Sequence, residues 1–138
     1  MRVVLLGAPG AGKGTQAAQL SQAFNIAQIS TGDMLRQRVE TGTEIGHRIR
    51  VLIDAGELVS DELIIDLIHE RVREPDCIDG YIFDGFPRTI PQAKVLWNSD
   101  IAVDHILEIA VPDDYVVQRL AGRRVHVASG RVYHTELN

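Results

Sequence analysis

A chain of 138 residues, 45% hydrophobic and 24% charged with a formal net charge of −5, has the composition of one globular domain and excludes disordered, collagenous and coiled-coil classes. With 14 Lys plus Arg against 19 Asp plus Glu, it lacks the broad basic surface that duplex nucleic acid requires, while sites for small anions stay open. The lone cysteine, Cys77, excludes an internal disulfide or a thiolate-rich zinc site and reads as a buried apolar residue.

In chain order, Arg2-Val3-Val4-Leu5-Leu6 is a short β-branched run bounded by Gly7, the pattern of a buried parallel strand. A helix is predicted from Lys13 to Phe24, stopped by Asn25. Further strands are predicted at 27–30, 81–83 and 105–109, and their alternation with helical pattern implies a parallel sheet. Between the second and third strands lie predicted helices at Asp33 to Glu40, Glu44 to Ala55 and Asp61 to Arg73, the last capped by Ser60. Gly32, Gly42, Gly46 and Gly56 make residues 31–59 either a movable insert or a set of ordinary surface helices. Later helices are predicted at Pro91 to Trp97 and Asp113 to Leu120, followed by a hairpin of 124–127 and 131–134 around Ala128-Ser129-Gly130. No apolar run approaches the roughly 18 residues of a membrane span, and the N-terminus lacks a signal-peptide pattern, so no membrane partner and a cytoplasmic location are expected.

Gly7-Ala8-Pro9-Gly10-Ala11-Gly12-Lys13-Gly14-Thr15 fits G-x-x-x-x-G-K between a predicted strand and a predicted helix. Its glycines free backbone N–H groups to surround phosphate, and Lys13 brings a full positive charge. Gly14 stands where the general pattern has Ser or Thr, with Thr15 one place later. Asp84 ends the predicted third strand, where parallel sheets place ligands; it reads as a magnesium-organising acid or as a turn residue before Gly85. Arg36, Arg88, Arg119, Arg123 and Arg124 fall at strand and helix ends, where they either serve phosphate or remain solvated charges.

These motifs together resemble adenylate kinase of the bacterial long-lid kind. Beyond the phosphate loop, residues 29–36, Ile29-Ser30-Thr31-Gly32-Asp33-Met34-Leu35-Arg36, resemble the family's AMP-side motif; 84–89 resemble its signature; and Gly122-Arg123-Arg124-Val125-His126 resembles the start of its lid. The resemblance implies an α/β, P-loop nucleoside monophosphate kinase-like parallel sheet with flanking helices. It divides the chain into a discontinuous core, 1–29 and 60–121, an AMP-binding insert, 30–59, and the start of a lid, 122–138.

By the same resemblance, Gly10, Ala11, Gly12, Lys13, Gly14 and Thr15 bind ATP, with Arg119, Val132 and Tyr133 bordering its adenine and Arg123 on the transferring phosphates. Thr31, Glu57, Leu58, Val59 and Gln92 contact AMP, and Arg36, Gly85 and Arg88 lie near its phosphate. Lys13, Arg36, Arg88 and Arg123 are the implied catalytic set, and Asp84 holds magnesium through water as cofactor with ATP. A Thr at position 31 goes with AMP as acceptor. No Cys occupies the lid spacing of His126 and Ser129, so no zinc is expected, and His126 and His134 read as ordinary exposed histidines.

The implied reaction is reversible phosphoryl transfer from ATP to AMP, giving two ADP. Alternatives are an inactive nucleotide-binding fragment or another P-loop kinase, for uridylate or shikimate. The resemblance also makes the chain look truncated inside the lid, with the C-terminal part of lid and core missing. Impaired activity and an exposed sheet edge would follow, with association in place of the monomer expected of a complete chain.

Overall fold

In the computed structural model, which describes residues 1–55, 57, 59–126 and 132–135, the apolar run Arg2–Leu6 forms strand β1 with its central residues buried. Strands β2 (Ala27–Ser30), β3 (Tyr81–Asp84) and β4 (His105–Glu108) join it in a parallel sheet of order β2-β3-β1-β4. The register sets Asp84 level with Leu5 on one side and Ser30 on the other, so the chemistry-bearing residues collect at the carboxyl ends of the strands.

Alternation along the strands feeds a core on each face. Val4, Ile29, Tyr81 and Phe83 pack with Ile64, Ile68, Cys77 and Phe86. Val3, Leu5 and Ile82 pack with Ala17 and Ile26 on the other face. Helix α1 (Lys13–Phe24) covers that second face and ends at Asn25, whose left-handed backbone closes on Ser21. The first face is covered by α4 (Asp61–Arg71); of the apolar face that helical spacing predicts there, Leu63, Ile64, Leu67, Ile68 and Val72, it buries Ile64, Leu67 and Ile68, while Leu63 and Val72 are half-buried.

Helix α2 runs Thr31–Glu40, two residues earlier than its predicted start at Asp33, because the Ser30 hydroxyl at the strand end accepts from the Asp33 N–H and caps the helix there. The helix therefore follows β2 without a loop, and Thr31 enters its first turn. Helix α3 (Glu44–Asp54) is capped by Thr43 and packs on α2 where Gly46 has no side chain to collide with the Arg38 carbonyl. Arg38 Nη2 reaches Glu70 Oε2 at 2.8 Å, linking α2 to α4. The predicted third helix of this region stops at Arg71 rather than Arg73, and a 3-10 turn at Pro75–Cys77 leads into β3.

Helix α5 (Ile90–Asn98) is capped by Thr89, and α6 (Asp113–Gly122) opens on two acids that complement its dipole. Strands β5 (Arg123–Val125) and β6 (Val132–His134) pair antiparallel as the predicted hairpin. Its tip, with Ser129, and position 58 lie outside the described residues. All four residues of β4 are exposed, with Ile106 at 60% and Leu107 at 46%. Among the described residues, no helix is long and apolar enough to cross a membrane.

Candidate active site

The turn after β1 places three consecutive functions within a few residues. Gly7, Gly10 and Gly12 have φ of 144°, 81° and 102°, a backbone that L side chains rarely adopt. At Gly7 a Cβ would stand 2.7 Å from the Ile109 carbonyl oxygen, so the loop can close against the end of β4 only with glycine. Helix α1 begins directly at Lys13, aiming its free N–H groups and positive dipole end at the loop. Such a backbone suits an anion at the loop.

Lys13 Nζ donates to the carbonyls of Gly7 at 2.8 Å and Ala8 at 2.9 Å, which holds the ammonium over the loop. Burial lowers its pKa; the Asp84 carboxylate opposes that, and the positive charges of Arg88 and Arg123 add to it. Residues from the phosphate loop, β3, the segment after β3 and β5 thus share one electrostatic field. The sequence separations hide this convergence, which the parallel register and the end of α6 create.

Asp84 closes β3 and turns its Oδ2 toward α1: a Cβ at Gly14 would stand 3.2 Å from it. Gln28 Nε2 lies 3.5 Å from the same oxygen. A side chain at position 14 would press on this carboxylate, which would have to give by a few tenths of an ångström. One carboxylate suits magnesium bound mainly by phosphate oxygens and water, the mode in which this ion dehydrates least. Among the described residues, no group of three His, Cys, Asp or Glu forms a metal cage.

On the other side of Asp84, Gly85 has φ of 85° and its carbonyl accepts two bonds, from Thr31 Oγ1 at 3.0 Å and from Arg88 Nε at 2.7 Å. A Cβ at Gly85 would meet Arg88 Nη2 at 2.6 Å and Thr31 Oγ1 at 2.9 Å, so this knot also requires glycine. Thr31 is 5% exposed and fixes the first turn of α2 against the β3 loop. Arg36 does not join the knot: its guanidinium pairs with Asp33 and lies over Gly32, on the exposed face of α2.

Gln92, also 5% exposed, sits in α5. Its Oε1 accepts from the Arg88 N–H at 2.8 Å and its Nε2 donates to Asp61 Oδ1 at 2.6 Å. Thr89 Oγ1 donates to the other oxygen of Asp61 at 2.9 Å. Asp61 was invisible as a site residue in the sequence: it stands 31 positions from Gln92 and reads there only as a first-turn acid of α4. Glu57 is exposed with its N–H on the Leu52 carbonyl, Val59 packs against the core, and Leu58 lies outside the described residues.

Arg119 reaches from the last turn of α6 to the Ala11 carbonyl at 3.3 Å, beside Gly12. Together with Gly12, Thr15, Gln16 and Glu108 it walls a cleft of about 500 Å³ next to the phosphate loop. Tyr133, which the resemblance implies at the donor base, is 45% exposed on β6 and is not among these walls; Val132 pairs with Val125 in the same hairpin. Arg124 turns away from the cluster: its Nη1 donates to the Ala121 and Arg123 carbonyls, capping the end of α6. His134 Nε2 approaches the Gln118 carbonyl at 3.3 Å, tying β6 back to α6.

A phosphate cradle, a lysine, a strand-end carboxylate and arginines from two directions suit charge neutralisation rather than covalent catalysis. A family model described as adenylate kinase matches residues 5–136 of the chain.

Proposed function

The chain belongs to the adenylate kinase family, kinases that pass a phosphoryl group between nucleotides, and from that premise we propose that it catalyses reversible transfer from ATP to AMP, giving two ADP. The observation that carries this reading is the double use of the Gly85 carbonyl by Thr31 and Arg88. It joins the first turn of α2 to the residue after Asp84, within the field of Lys13, so that donor and acceptor phosphates can be brought into line.

In this reading residues 30–59 form the acceptor insert and the segment from 122 the lid. The phosphate loop and Lys13 hold the donor phosphates, Arg119 borders the donor base, and Arg88 and Arg123 bear on the transferring group. Arg36 leaves Asp33 to meet the acceptor phosphate. An oxygen of the AMP phosphate forms the new bond to phosphorus as the bond to the leaving ADP oxygen breaks, and no side-chain nucleophile is needed. Magnesium, when bound with ATP near Asp84, neutralises phosphate charge. The residues otherwise orient the phosphates and keep out water.

The test is a coupled assay of ADP formation from ATP with AMP, CMP, UMP or GMP as acceptor. Turnover with AMP above the other acceptors supports the reading, and a preference for UMP or CMP overturns the adenylate assignment.

A further inference from the structure

We propose that Asp61 sets the choice of acceptor base by locking the side-chain amide of Gln92 in one orientation. The proposal rests on Gln92 facing the acceptor base, as in the function proposed above, and adds a positioning residue to it.

The lock follows from the chemistry of its two neighbours. A carboxylate only accepts and a backbone N–H only donates, so the amide atom against Asp61 must be Nε2 and the atom against Arg88 must be Oε1. Turning the amide over would set Oε1 against the carboxylate and Nε2 against another donor, leaving the buried amide of Gln92 unpaired. Asp61 is itself held, because Thr89 Oγ1 occupies its second oxygen. After these bonds Nε2 keeps one hydrogen and Oε1 one lone pair, and among the described residues no partner takes either.

That remaining pair reads a base edge. Adenine offers an exocyclic N–H donor beside a ring-nitrogen acceptor; guanine, in the same pose, offers an exocyclic oxygen acceptor beside a ring N–H donor. One amide orientation serves the first and opposes the second, so an amide that cannot turn discriminates between them. The same Gln92 oxygen also fixes the backbone of Arg88. Base choice and the placement of the phosphate-side arginine thereby depend on one carboxylate in α4.

The test compares kcat/KM for AMP and GMP, with ATP as donor, in the wild-type chain, Asp61→Asn and Thr89→Val. In Asp61→Asn the neighbour both donates and accepts, so the ratio for AMP over GMP should fall about tenfold, with turnover of GMP itself rising. Thr89→Val removes the α5 cap together with the hydroxyl on the second oxygen of Asp61, so it should lower Tm and move the ratio in the same direction as Asp61→Asn by a smaller factor. A ratio in Asp61→Asn within about twofold of wild type overturns the proposal. The lock is also read directly in the wild-type protein: in the side-chain 15N spectrum one Gln92 amide proton should be shifted downfield by the carboxylate and exchange with water more slowly than the amide protons of exposed Gln side chains. Gln92 amide protons with no downfield shift, exchanging with water as fast as those of exposed Gln side chains, remove the lock whether or not Asp61→Asn folds. A wild-type chain with a locked amide but no preference for AMP overturns the acceptor assignment, and the selectivity role of Asp61 with it.

Discussion

Asp84 and Gly14 face each other across the mouth of the phosphate loop, the carboxylate Oδ2 lying 3.2 Å from where a Cβ at position 14 would stand. Gly14 is in the first turn of α1, where alanine is the better helix former by up to about 1 kcal/mol. Stability and activity should therefore part in Gly14→Ala. Its Tm should hold or rise, while displacement of Asp84 lowers kcat/KM by roughly tenfold or more. Thermal melts and steady-state kinetics on one preparation check this, and unchanged kinetics would show that Asp84 has no set position to keep.

Lys13→Met removes the full charge from the cradle, and kcat should fall about 100-fold or more. Because burial, with Arg88 and Arg123, lowers the Lys13 pKa below 10.5, the ammonium is lost earlier in the folded chain than in the unfolded one. Two alkaline effects of opposite sign follow. Nucleotide binding should weaken as pH rises through the lowered value, while this group's contribution to stability grows from there toward 10.5, where the unfolded chain binds the extra proton. Nucleotide titrations across alkaline pH should show the first effect in the wild type and not in Lys13→Met.

Arg88 holds the Gly85 carbonyl through Nε at 2.7 Å, and in the proposed reaction its terminal nitrogens serve phosphate. Lysine keeps the charge but has no fork with which to make both contacts. Arg88→Ala should lower kcat/KM for AMP about 100-fold or more, and Arg88→Lys should recover only part of it. Near-normal turnover in both variants would remove Arg88 from the mechanism.

Cys77 is 3% exposed, and burial pushes its thiol up from 9.0 to about 11. Alkylation at pH 8 should be slow in the folded chain and become ordinary on unfolding, since the native thiolate fraction is lower by about a hundredfold. Iodoacetamide labelling followed by intact mass measures both rates. The raised value also sets the sign of the pH effect: its stabilising contribution is complete below 9.0 and is lost as pH rises through about 11. Chemical denaturation across that window should show a larger loss in the wild type than in Cys77→Ala, because the Tyr81 hydroxyl, also pushed up by burial, titrates in both.

Ile68 is fully buried between α4 and the sheet. Ile68→Ala should cost about 2–5 kcal/mol by leaving a cavity among Ile29, Phe83 and their neighbours, read by urea midpoints.

The sequence by itself determined the β1–loop–α1 unit, because the signals there are local: a β-branched run, glycines at positions with φ that only they tolerate, and a lysine opening a helix. It also determined the buried stripe Ile64, Leu67 and Ile68, since helical period and apolar character coincide. The Ser60 cap marked the start of α4, whose end falls two residues short of the predicted one, whereas α2 begins two residues early because the capping hydroxyl of Ser30 belongs to the preceding strand. Only the tertiary structure decided which charges meet. Parallel register sets Asp84 beside Leu5 and Ser30, and the turn of α6 brings Arg119 to the loop while Arg124 caps a helix end. Asp61 and Gln92 meet because α4 and α5 pack together. Hydrogen bonds of that kind depend on the placement of whole elements, and residue spacing along a chain carries no record of it.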